Sequence, residues 1–200
     1  MPPITLSHIQ EALALAPFDS RAAHGLMAPL TRPTNRPADL PGMARIGSVL
    51  LLLYCHCEEL HLVLTRRRDD MNSHAGQVSF PGGRAEAAET LAEAALRETE
   101  EEVGVRPSTI TLLGELATIW IPPSDFQVHP FVGWVQSGER PSFQLAANEV
   151  AELLEVPLRH LLSTASRREG TIERQEYRMT VPYFDVDGHM VWGGYGRDPQ

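Results

Sequence analysis

The chain has 200 residues and a formal charge of −9, and arginine supplies all 17 of its basic residues. That length suits one domain with a substantial core, and the acidic balance argues against nonspecific nucleic-acid binding. No apolar run reaches the length of a membrane span, and the N-terminus lacks the apolar core of a signal peptide, so a soluble cytoplasmic protein is expected. Ser7 and Gln10 have capping-box spacing, and Ile9, Leu13 and Ala16 follow one face, which predicts a helix over 7–16. Prolines at 29, 33, 37 and 41 mark an extended connector. Residues 1–42 therefore read as an N-terminal helix and connector packed on a domain over 43–200. Residues 45–54 and 60–65 read as strands of a hairpin, with Cys55–Glu59 as its loop. Cys55 and Cys57 are read as reduced thiols, because two-residue spacing suits a disulfide poorly and a metal site needs more ligands. Gln77–Phe80 reads as a short strand, and Pro81-Gly82-Gly83 as a turn. His74 reads as a loop residue. Strands are predicted over 110–120 and 126–135, flanking Ile121-Pro122-Pro123-Ser124. Asn148 is placed to cap a helix running to about Leu154, and Pro157 to begin another. Two strands are expected over 172–186, split near Pro182, and Trp192 reads as a core plug.

The segment between Gly83 and Val105 carries the chemistry. Thr90 and Glu93 form a second capping box, alanine and leucine fill the helix interior, and Gly104 suits a left-handed end. Ala92, Ala95, Leu96, Thr99 and Val103 make one stripe at helical spacing, the expected buried face. Glu98 and Glu102 lie one turn apart on another face, with Glu101 beside them. Carboxylates at that spacing form a partial cage of hard oxygens, the kind Mg²⁺ uses while keeping waters or phosphates as its other ligands. Arg97 is spaced to pair with Glu93 or Glu101. A solvated acidic face is the ordinary alternative for such a run.

Gly83, Glu89, Arg97, Glu98, Thr99, Glu101, Glu102, Gly104 and Val105 fill the pattern G-x5-E-x7-R-E-U-x-E-E-x-G-U, where U is apolar. This resembles the Nudix box of the Nudix hydrolases. Thr99 is the one departure; its methyl can pack and its hydroxyl can bond back to the helix. Just upstream, Leu64, Thr65, Arg67, Gly76, Phe80, Pro81, Gly82 and Gly83 resemble the motif of coenzyme A pyrophosphatases within that family, with Val63 for a leucine. Arg68 stands where a small residue is usual and Asn72 where an arginine is usual, so Arg68 is expected to make up for the missing arginine.

The resemblance implies the Nudix fold, an α+β arrangement of mixed β-sheets sandwiched between helices (an α/β/α sandwich). It implies hydrolysis of the pyrophosphate of coenzyme A or its thioesters, with Mg²⁺ or Mn²⁺. Glu98 and Glu102 are the leading metal ligands, joined by Glu101 and the Gly82 carbonyl. Arg97 orients Glu98. The general base is Glu98 or Glu149. Arg66, Arg67, Arg68, Gln77 and Phe80 are the candidate substrate contacts, with a solvated strand end as the alternative for the arginines. The partner is a small nucleoside diphosphate derivative, not nucleic acid or membrane, and a homodimer is admitted. An ADP-ribose or NADH pyrophosphatase and a noncatalytic nucleotide sensor are the competing readings; the intact set of box glutamates favours an enzyme.

Overall fold

The computed structural model describes residues 3–26, 35–71, 75–174 and 177–192. His74, Asn72, residues 29–34 of the connector and everything after Trp192 lie outside them. The elements are α1 (Leu6–Leu13), α2 (Ser20–Gly25), β1 (Arg45–His56), β2 (Glu59–Arg67), β3 (Val78–Ser79), β4 (Gly82–Arg84), α3 (Leu91–Val103), β5 (Ile110–Glu115), β6 (Ile119–Ile121), β7 (Phe126–Glu139), β8 (Val150–Pro157), α4 (Leu158–Leu162), β9 (Arg167–Arg174), β10 (Tyr177–Val186) and β11 (His189–Val191).

The apolar run along β1 has no alternation because both of its faces are covered. Leu50, Leu52 and Tyr54 point to one side and meet Ala95 and Val103 of α3, together with Val63 and Val135. Leu53 points to the other side with Leu62, Leu64, Leu154 and Val156. Ile9 and Leu13 of α1, Leu158 and Leu161 of α4, and Phe184 and Val186 of β10 cover that second face. The result is an α+β sandwich, with α3 on one side of a mixed sheet and α1 and α4 on the other.

The sheet runs β3-β2-β1-β7-β5, with β4 added to β1, β6 to β7 and β8 to β2. The central β1–β7 pair is parallel, from Arg45 opposite Phe126 to Leu53 opposite Trp134. A parallel pair needs a crossover, and that crossover carries β4 and α3. A second, three-stranded sheet runs β11-β10-β9.

Several expectations need correction. The β1–β2 turn is only Cys57-Glu58, both at positive φ (50° and 64°), because cross-strand pairing continues to His56 and Glu59. The cap of α1 is Thr5, boxed with His8, not Ser7. Residues 150–154 form strand β8, not a helix: Glu149 and Val150 donate to the Ala146 carbonyl in a turn, and the chain then pairs with β2 from Arg67 to His61. Pairing along β2 overrides the helix propensity of Ala151-Glu152-Leu153-Leu154. Pro157 does precede a short helix. The 110–120 stretch breaks into β5 and β6. Pro182 lies inside β10, opposite Glu169 of β9, while the β11 ladder reaches only Phe184 to Val186. Its missing N–H therefore interrupts no ladder among the described residues on the β11 side. Among the described residues no helix is long and apolar enough to cross a membrane.

Candidate active site

Helix α3 begins as its sequence dictates. Thr90 Oγ1 accepts from the Glu93 N–H at 3.2 Å, and Glu93 Oε2 accepts from the Thr90 N–H at 2.8 Å. Gly104 ends it with φ 76°. Thr99 is fully buried, and its hydroxyl donates to the Ala95 carbonyl at 2.7 Å. Glu102 is also buried, at 5% exposure, so the acidic face is not wholly a solvated one.

Arg97 ties this face together. It donates to Glu89 through Nε and Nη2 (3.0 and 2.8 Å), to Glu98 and Glu101 through Nη1 (3.0 and 3.1 Å), and to the Arg84 carbonyl (3.3 Å). Glu93 is not its partner, being held by Thr90. The Arg97 guanidinium, with the Glu86 N–H, holds the Glu89 carboxyl down at about 2. A Cβ on Gly83 would lie 2.4 Å from the Glu98 carboxyl carbon. Glu98 thus occupies space that only glycine leaves open. Gly82, at φ 154°, is pinned by its neighbour: a Cβ there would meet the Ser48 carbonyl of β1.

The opposite wall is β2 and the start of β8. Side chains alternate along a strand. Val63 faces α3, so Thr65 and Arg67 do too. Thr65 Oγ1 donates to Glu102 Oε2 at 3.4 Å. Arg67 lies between two carboxylates, 3.7 Å from Glu102 Oε1 and 3.8 Å from Glu149 Oε2. Three consecutive arginines cannot share one face, and the structure separates them. Arg66 pairs with Asp69 (2.7 Å). Arg68 is bound to Asp70 (2.8 and 2.7 Å) and to the Ala147 carbonyl (2.8 Å), which braces it against the turn before β8. Gln77 contributes its carbonyl to the Arg67 N–H (2.9 Å). Phe80 packs on the Leu62–Leu64 core cluster. Trp192 is partly buried. Sequence reasoning missed Thr65 as a neighbour of Glu102, although its two-residue offset from Arg67 was a signal for it.

Burial pushes the Glu102 carboxyl up to about 7, with Glu98 adding to the shift and Arg67 opposing it. Glu98 is raised as well, again mainly by burial. At both, burial penalises the charged form by more than the neighbouring arginine relieves it.

The NUDIX domain family model matches residues 47–175. This chain belongs to the NUDIX family. It is 38% identical over 166 residues to an uncharacterized Nudix hydrolase, NudL, of Pectobacterium atrosepticum, covering 80% of this chain and 81% of that protein. A NudL of Yersinia enterocolitica is 36% identical over 159 residues, covering 79% and 80%. Among solved structures, the Nudix hydrolase RenU from M. smegmatis shares the fold at TM-score 0.50 and 19% identity, over 60% of this chain and 75% of that one. The NUDIX domain of Shewanella oneidensis NrtR, complexed with ADP ribose, gives TM-score 0.48 at 19% identity, over 64% and 81%.

The chain is a Nudix hydrolase, of a family that acts on pyrophosphates and generally uses divalent metal ions. The residues here fit such an ion. Glu98 and Glu102 are hard-oxygen donors short of positive charge, and Gly83 leaves room for the Glu98 carboxylate. No three His, Cys, Asp or Glu side chains among the described residues already converge as a cage. In this structure Arg97 pairs with Glu98 and Glu101, and Arg67 stands beside Glu102.

Proposed function

We propose that this Nudix hydrolase cleaves the pyrophosphate of coenzyme A or its thioesters, using Mg²⁺ or Mn²⁺. The products are 3′,5′-ADP and 4′-phosphopantetheine or its acyl derivative. The observation that carries the reading is Arg67, the arginine of the upstream motif, set between Glu102 at 3.7 Å and Glu149 at 3.8 Å. Glu98 and Glu102 hold the ion, with Glu101 and the Gly82 carbonyl as further oxygens. When bound, the ion neutralises charge on the diphosphate and on the leaving phosphate. Arg97 fixes Glu98 through Nη1. Arg67 grips a phosphate oxygen; its planar fork suits that oxygen better than an ammonium would. Glu149 is the more exposed carboxylate of the cleft, at 42% against 6% for Glu102. It takes the proton of the attacking water as the new P–O bond forms and the bridging P–O bond breaks. The division at residue 42 is supported by described N-terminal residues that dock on the rest: Ile9 and Leu13 of α1 pack on its core, and Arg36 makes a bidentate bond to Asp125 at 2.7 and 2.9 Å.

Purified protein with Mg²⁺ should be offered CoA, ADP-ribose and NADH, with products resolved by chromatography. CoA should turn over fastest. Faster turnover of ADP-ribose would replace the substrate while keeping the chemistry.

A further inference from the structure

Two arginines meet the acidic turn, and they are bonded in opposite ways. Arg97 donates hydrogen bonds to three carboxylates and a carbonyl. Arg67 makes no hydrogen bond through its side chain to a described residue. Its nearest carboxylate oxygens are 3.7 and 3.8 Å away, and its Nε is buried with no partner. The side chain is 24% exposed, so the cost falls on the buried Nε, a donor left without an acceptor. What retains it is charge: Glu102 is buried beside Glu98, and a buried carboxylate needs a cation near it.

A divalent ion would answer the same need at the same oxygens. Two cations within a few ångströms repel strongly in a partly buried site. We propose that Arg67 is an exchangeable counter-ion: it neutralises Glu102 and Glu149 in the metal-free protein, and a divalent ion displaces it, turning its free fork toward a substrate phosphate oxygen. This rests on the reading of Glu98 and Glu102 as an ion centre. By linkage the competition is reciprocal, so whatever weakens Arg67 here strengthens the ion. It also orders binding, because the phosphate-gripping fork becomes available only once the ion is in place.

The test is Mn²⁺ binding to EDTA-stripped protein at pH 8, where the Glu102 carboxyl is ionised, measured by titration calorimetry on the parent, Arg67→Gln, Arg67→Lys and Glu102→Gln. Arg67→Gln should bind Mn²⁺ about fivefold more tightly than the parent, the scale of one partly exposed ion pair. Arg67→Lys keeps the charge and should stay near the parent. In thermal unfolding, Arg67→Gln should melt below the parent in EDTA, and saturating Mn²⁺ should narrow the gap. Arg67→Met keeps the apolar stem and replaces the glutamine variant if that one fails to fold. If the parent binds Mn²⁺ through Glu102 but neither neutral variant binds it more tightly, the exchange is refuted and the ion centre stands. If Glu102→Gln binds Mn²⁺ as well as the parent does, the ion centre falls and the exchange falls with it.

Discussion

Arg97 and Arg67 approach the same acidic turn from opposite walls. On the α3 wall every donor has a close acceptor, and Glu98 rests in the space left by Gly83. Toward the β2 wall the contacts are long, Arg67 Nε is unpartnered, and the α3 carboxyl that faces it, Glu102, is buried and pushed up to about 7. One wall fixes geometry, and the other keeps a charge imbalance that a bound cation can relieve.

The comparison can be broken from either side. Glu102→Gln removes the carboxylate that both cations address. It should lower kcat/KM by about a hundredfold or more, while circular dichroism remains that of the parent. Arg97→Ala undoes the rigid wall. Steady-state kinetics should show a loss of about thirtyfold, together with about 1–2 kcal/mol of stability in urea melts. If Arg97→Ala matched the parent in rate, the claim that it orients Glu98 would fail.

Gly83→Ala sharpens the contrast. Its Cβ meets the far end of a flexible side chain, so Glu98 should move aside at a stability cost under about 1 kcal/mol, while activity drops about tenfold. A Gly83→Ala enzyme as active as the parent would mean that Glu98 does its work from elsewhere.

Protonation tests the loose wall alone. In metal-free protein the folded Glu102 holds its proton up to about pH 7, whereas the unfolded group releases it near 4.5. Between those values the folded state binds more protons, so this group's contribution to stability falls as pH rises. Against the parent, Glu102→Gln should therefore gain about 1–3 kcal/mol between pH 4.5 and 7, read from urea melts in EDTA. A difference that stays flat with pH would contradict the burial argument. Thr99→Val is the smallest change: it removes a hydroxyl whose acceptor is already a helix carbonyl, so stability should move by less than about 1 kcal/mol.

What was legible in the sequence was local. The capping box of Thr90 and Glu93, the Gly104 end and the Thr99 back-bond are all decided within one or two helical turns. What was hidden depended on distant partners. Asn148 carried a helix-start signal, yet β2 recruits the following residues as β8. The burial of Glu102 could not be read from its helical face, because β2 closes over it with Thr65 and Arg67. The upstream motif singled out Arg67 from Arg66 and Arg68, but where each side chain goes could not be read; strand alternation and the acceptors at Asp69, Asp70 and Ala147 decide that.

The most direct measurement is an anomalous difference map from crystals grown with Mn²⁺. A peak bridged by the Glu98 and Glu102 carboxylates is expected, with the Arg67 guanidinium swung away from Glu102. A fully loaded crystal with its Mn²⁺ bound elsewhere, and Arg67 still between Glu102 and Glu149, would contradict the account.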